Sequence, residues 1–338
     1  MLRIIILSFF IAVWSVAETT VLAQPQVVDP DYDTRVARPA YVTQHPTVLF
    51  DEAHFNFHRA EGLYKPFVSL IANDGYRVVA NPKPFSKEVL APHQILVIAN
   101  AQGGARLPES ADAAFTAAEC QAVDAWVREG GSLLLITDHY PHGAAAQPLA
   151  KRLGVGMSQG QTLDPQNAYP RQPSQLIFAL ENDLLGNHPI VWGRGPVEQL
   201  ARVVTYSGQS LSGPRGTVAF LRLSDTAMDR SSVDNSQTPA AGRAQGIAFI
   251  HGKGRVVVLG EAGALSAQFM QGNIPFGMNA QDNDNRQLSL NIMHWLSGLI
   301  PVDRRATKKA PSRRSSSNRA KSGSVKQKKT QDPPTPPE

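Results

Sequence analysis

The chain has 338 residues, 42% of them hydrophobic and 18% charged. That is room for one large domain or two modest ones, and the composition excludes a disordered polymer. No apolar run reaches the ~20 residues needed to cross a bilayer, so a membrane bundle is excluded too. The net charge of +5 misleads about partners: residues 304–338 hold eleven Lys/Arg against Asp332 and Glu338, a net +9, so residues 1–303 carry −4. The single cysteine, Cys120, rules out an intramolecular disulfide and any multi-cysteine metal cluster.

Residues 1–23 read as a secretory signal peptide. Ile4 to Val16 is almost unbroken apolar sequence, and Ser15-Val16-Ala17 and Val21-Leu22-Ala23 are small-residue cleavage sites. The sequence therefore predicts an exported protein, periplasmic or extracellular, with no membrane span after cleavage. Residues 24–44 read as a linker, 45–300 as an α/β domain and 301–338 as a basic tail too poor in apolar residues to order itself. Such a tail reads either as a solvated extension with no specific role or as a means of adhesion to an anionic envelope surface; export makes nucleic acid the least favoured partner.

Within the domain, short β-rich runs alternate with amphipathic stretches, the pattern of a parallel sheet covered by helices. Thr47 to Phe50 predicts the first strand, Glu61 to Asn73 a helix, Tyr76 to Ala80 a second strand and Ile95 to Ala99 a third. Thr116-Ala117-Ala118-Glu119 is a capping box opening a helix through Trp126. Cys120 falls inside this helix and reads as core filling. Leu133 to Ile136 predicts a fourth strand and Ala144 to Leu153 a short helix. Residues 155–245 read as an irregular insertion with one clear strand, Thr217 to Leu223. Gly246 to Ile250, a turn at 251–254, and Arg255 to Leu259 form a hairpin, and Arg286 to Leu296 closes the chain as a helix with Leu288, Ile292, Trp295 and Leu296 on one face.

Polar residues follow each strand. Asp51, His54, Asn56 and His58 come after the first, Asn100 after the third, Asp138, His139 and His142 after the fourth, and Glu261 after the hairpin. In an open α/β sheet the carboxyl ends of parallel strands face one crevice, where ligands bind. Imidazoles and carboxylates there suit a divalent ion such as Zn, Mn or Fe, which would activate a bound water. The candidate ligands are Asp51, His54, His58, Asp138, His139 and His142. Glu261 would act as base, with Asp138 and His139 beside it, and Asn56, Asn100 and Arg194 as ligand contacts. His251 could join them or lie at the opposite end of its hairpin; His188 and His294 read as structural. No Gly-x-Ser-x-Gly elbow, Walker lysine or GxGxxG is present, so a serine nucleophile and a nucleotide cofactor are not expected.

The block from Phe50 to His58, Gly130-Gly131-Ser132 through Thr137-Asp138-His139, His188-Pro189-Ile190 with Gly193-Arg194, Gly260-Glu261-Ala262, and Asn291 to Leu296 together resemble an uncharacterised group of exported bacterial proteins carrying a class I glutamine amidotransferase-like domain. The resemblance covers about residues 45–300. It implies a Rossmann- or flavodoxin-like, mostly parallel sheet whose fourth-strand elbow holds a nucleophilic cysteine, partnered by a downstream histidine and glutamate. Thr137-Asp138-His139 stands at that elbow instead, so amidotransferase activity is not expected. Related branches without the cysteine are trehalose-utilisation-like proteins and gliding-motility or transporter-associated domains, which implies sugar handling or assembly. Two functions follow: a metal-assisted hydrolase of a small polar or carbohydrate-like envelope substrate, or a non-catalytic binding module using the same crevice.

Overall fold

The computed structural model describes residues 26–104, 112–270 and 273–302. The signal-like segment and nearly all of the basic tail lie outside the described residues. Among those residues no helix is long and apolar enough to cross a membrane.

A nine-stranded mixed sheet organises the domain. In chain order its elements are β1 (Thr47–Asp51), helix α1 (Lys65–Asn73), β2 (Arg77–Asn81), β3 (Ile95–Ala99), α2 (Ala117–Glu129), β4 (Ser132–Ile136) and α3 (His142–Arg152). After these come β5 (Gly156–Met157), β6 (Leu211–Ser212), β7 (Val218–Arg222), β8 (Ala244–His251), β9 (Gly254–Leu259) and α4 (Asn285–Leu296). The strand order is β2-β1-β3-β4-β9-β8-β6-β5, with β7 also pairing with β8. The first five of these strands are parallel, and the pairings from β9 through β8 to β5 are antiparallel. The parallel part has the doubly wound order of flavodoxin-like sheets, whose topological switch point lies between β1 and β3.

The parallel strands are apolar at nearly every position because both faces are covered. Alternate residues serve opposite sides. Val48, Phe50, Ile95, Val97, Leu134, Ile136, Val257 and Leu259 pack with α1 and α4. Leu49, Leu96, Ile98, Leu133, Leu135, Val256 and Val258 pack with α2 and α3. Cys120 sits buried in the second layer.

The α2 capping box forms as expected, with Thr116 Oγ1 accepting from Glu119 N and Glu119 reaching back to Thr116 N. Helix α1 starts at Lys65, later than expected, because Pro66 fits only its first turn; residues 60–64 are turns instead. The largest departure is residues 155–245, which are strand-rich rather than irregular. Besides β5, β6 and β7 they hold Gln161–Leu163, Ala168–Tyr169, Gln172–Ala179, Arg202–Val204, Met228–Arg230 and Gln237–Pro239, arranged in two three-stranded sheets. Most of these strands are two or three residues long, too short for alternation to register. Residues 26–44 also join the domain. Val27–Val28 pairs with Ala267–Met270, and Tyr41 meets Tyr76 edge-on at 5.1 Å.

Candidate functional site

Strands β1, β3, β4 and β9 are consecutive neighbours, so the residues ending or following them share one rim. Asp51 ends β1, Asn100 follows β3, Asp138 follows β4, and Glu261 follows β9. Hydrogen bonds stitch the rim from end to end. Asn100 donates its side-chain N–H to Asp138 Oδ2 at 2.6 Å and accepts Asp138 N–H at 2.9 Å. Asp138 Oδ1 accepts from Ala262 N at 3.0 Å. On the other side Phe57 N donates to Asn100 O and Gln102 N to His54 O. Two rim residues carry left-handed backbone, Asn100 (φ 48°) and Phe55 (φ 49°). Asparagine tolerates this conformation, whereas phenylalanine is strained by it.

At the β1 end, His54 is clamped between two carboxylates. Its Nδ1 lies 2.8 Å from both oxygens of Asp51, and its Nε2 lies 2.8 Å from Glu119 Oε1. Phe85 and Phe115 pack against the ring at 4.6 and 4.7 Å. Burial works against a charged ring here, but the bonds and charges of Asp51 and Glu119 outweigh it and raise the His54 pKa. Burial likewise opposes charge on Glu119, yet the bonds from His54, Thr116 and Phe85 N–H hold its carboxyl down at about 2. Asn56 completes the cluster, donating to Asp51 Oδ2 at 3.0 Å and accepting His54 N–H.

At the β4–β9 end the chemistry reverses. Glu261 is buried, its oxygens accepting from Gly263 N at 2.6 Å and Ala264 N at 2.8 Å. Burial, reinforced by nearby Asp138, pushes its pKa up to about 8. Gly208 lets the covering loop close over it, since a Cβ there would sit 2.6 Å from Glu261 Cβ. Tyr64 donates to Ala262 O at 2.6 Å and packs on His58 at 4.6 Å. Burial lowers the His58 pKa to about 4 and lowers that of His142 as well, despite the charge of Asp138 near both. Both rings are therefore uncharged at neutral pH. The Nδ1 atom of each is buried and has no hydrogen-bond partner.

The expected residues divide accordingly. Asp51, Asn56, Asn100, Asp138 and Glu261 line one rim, with His54, His58, His139 and His142 on the segments beside them. Within the expected metal set, both ring nitrogens of His54 face carboxylates, and the oxygens of Asp51 already accept from His54, Asn56 and Ala53. Asp138 is likewise occupied by Asn100 and Ala262, and His139 Nδ1 is 2.8 Å from Tyr140 O. Among the described residues no group of three or more His, Cys, Asp or Glu side chains is arranged to hold a metal ion. Glu261, expected as a general base, is buried beside Asp138, and its raised pKa favours the protonated form.

Arg194 does not reach the rim. It pairs with Glu198, and its further electrostatic neighbours are Asp74 and Tyr76, which precede β2 and so lie at the amino end of the sheet. Its flanking glycines serve the turn into Pro196–Glu198, not a reach toward ligand. His251 is also at the amino end, 2.6 Å from Asp124 at the hairpin tip. His188 caps Pro189–Trp192, and His294 pairs with Asp74 at 2.7 Å.

Two contributors were not anticipated. Glu119 reads from sequence as a capping residue alone. Gln209 is fully buried and donates to the carbonyls of Thr137 and Asp138 at 3.1 and 2.7 Å; it lies in the segment whose periodicity is unreadable.

No family model matches the chain, and no curated protein matches it. Solved structures do resemble it. The N-terminal domain of mmIFT52 is 17% identical, with a TM-score of 0.54, over 74% of this chain and 97% of that one. A protein from Bacteroides uniformis described as ThuA-like is 12% identical, with a TM-score of 0.39, over 76% of this chain and 94% of that one. A GMP synthase-like protein from Thermoplasma acidophilum is 8% identical, with a TM-score of 0.39, over 76% and 97%. At these identities the likeness concerns the fold alone.

Proposed function

We propose that the carboxyl rim binds a small, neutral, polyhydroxylated ligand and that the domain is a binding module with no nucleophile of its own. The observation that carries this reading is the geometry of His58, which is buried, and His142, which is half-buried: the Nδ1 atom of each is buried without a hydrogen-bond partner, and burial disfavours the charged form of both rings. A buried polar atom without a partner is costly, and it is satisfied by water or by a ligand group. Hydroxyl groups both donate and accept, so one polyol meets either tautomer of each ring. An anionic ligand suits the rim less well, because the imidazole whose pKa is raised, His54, is already held by the carboxylates of Asp51 and Glu119.

Metal-assisted hydrolysis fits the side chains poorly, because the best donors are already engaged within the protein. The thiol route is closed by Thr137-Asp138 at the elbow. The test is a thermal-shift panel of glucose, mannose, galactose, N-acetylglucosamine, glycerol and inositol against the full chain. A ligand selective for the folded state raises the melting temperature by mass action. At least one sugar or polyol should do so, and His58→Phe with His142→Phe should remove the shift. If no member of the panel stabilises the protein, the reading fails.

A further inference from the structure

Next to the rim the chain exposes two aromatic side chains, Phe55 at 53% and Phe57 at 45%. An exposed phenylalanine alone means little, but Phe55 is held in left-handed backbone, a conformation that costs energy unless the surroundings impose it. They do: His54 N donates to Asn56 Oδ1, Phe57 N to Asn100 O, and Gln102 N to His54 O, which fixes the loop on both sides of residue 55. The fold thus accepts strain to present an apolar ring to solvent.

The two rings bracket two different surfaces. Phe57 lies 5.1 Å from His58 and 6.0 Å from His142, so it forms a wall of the imidazole site. Phe55 lines a neighbouring cleft of about 410 Å³ together with Glu52, Asn56, Arg59 and Gln102. In that cleft Arg59 and Glu52 pair at 2.9 Å, so their charges offset each other. Polar groups around an aromatic face, with no net charge, match a pyranose ring, which offers an apolar C–H face to the aromatic and hydroxyls at its edge.

We infer that Phe55 and Phe57 form a stacking platform that carries a carbohydrate chain from the imidazole site out into the Glu52–Arg59–Gln102 cleft. The ligand class is accordingly a linear oligosaccharide, not a single sugar. This inference rests on the polyol reading of the rim and extends it.

The experiment is isothermal titration of the full chain with glucose, mannose, galactose and N-acetylglucosamine and with linear β-1,4- or α-1,4-linked hexasaccharides of each available unit. For the sugar that binds, the hexamer should bind at least about tenfold tighter than the monomer, ~1.4 kcal/mol. Phe55→Ala and Phe57→Ala should each shrink that ratio toward one and leave the melting temperature near wild type; Phe55→Ala should also leave the monomer affinity unchanged, whereas Phe57→Ala, which removes a wall of the imidazole site, should weaken it, and Phe55→Trp should keep the ratio. If the monomer binds but chain length adds nothing, or the alanine variants keep the full ratio, the platform is overturned. If no monomer or hexamer binds, the rim reading fails and the platform falls with it.

Discussion

Replacing Glu261 by glutamine isolates the cost of burying a carboxyl group at the rim. In the folded protein its pKa stands at about 8, against an ordinary carboxyl value of 4.5. Between those two values the folded state therefore binds more protons than the unfolded one. Stability falls with rising pH wherever that holds, so Glu261 lowers stability progressively from about pH 4.5 to about pH 8. At ~1.4 kcal/mol per tenfold, the whole interval corresponds to roughly 5 kcal/mol. Glutamine does not titrate. It also replaces one of the oxygens facing Gly263 N and Ala264 N with a donor, which costs about 1–3 kcal/mol at every pH. Urea unfolding of both proteins from pH 5 to pH 9 separates the two effects. The variant is expected to be the less stable at pH 5 and to gain on wild type by several kcal/mol toward pH 9. A difference flat across that range, or one running the other way, would refute the protonated-carboxyl argument.

His54→Ala leaves Asp51 and Glu119 buried without the ring between them and should cost about 3–5 kcal/mol near pH 6, by chemical denaturation. Because the folded pKa of His54 is raised, that penalty should be largest below its ordinary value and shrink as pH rises through the folded value; a penalty growing with pH would contradict the clamp. Asn100→Gly removes the bonds to Asp138 but suits the left-handed backbone, whereas Asn100→Ala removes them and keeps the strain. Alanine should therefore be the worse by about 1 kcal/mol, and equal melting temperatures would count against strain at residue 100. Elemental analysis of protein purified without chelator should find zinc, manganese and iron only in traces. Near-stoichiometric metal that His139→Ala releases would show that the rim carboxylates exchange their internal partners for an ion.

The parallel half of the sheet and the α2 capping box were legible because local signals determine them: unbroken apolar runs for doubly covered strands and a Thr-x-x-Glu start for the helix. The rim was legible for the same reason, since a carboxylate following a buried strand of a doubly wound sheet has one place to go. The partners of those residues were not. His54 meets Glu119 across 65 residues, and nothing near either marks the pairing. Glu119 already had a local explanation, which hid its second task. Arg194, expected as a ligand contact, instead pairs with Glu198 four residues on. Residues 155–245 stayed opaque because their two- and three-residue strands are fixed by pairing with distant segments, such as Met228–Arg230 with Gln161–Leu163.

The most direct measurement is the nitrogen-15 shift of the His58 and His142 ring atoms at pH 7, recorded in the full chain with and without the sugar and polyol panel. Neutral rings are expected, with Nδ1 resonances that move when a binding sugar is added. Imidazolium shifts at pH 7, or ring nitrogens indifferent to every probe that raises the melting temperature, would contradict a neutral polyol site at the carboxyl rim.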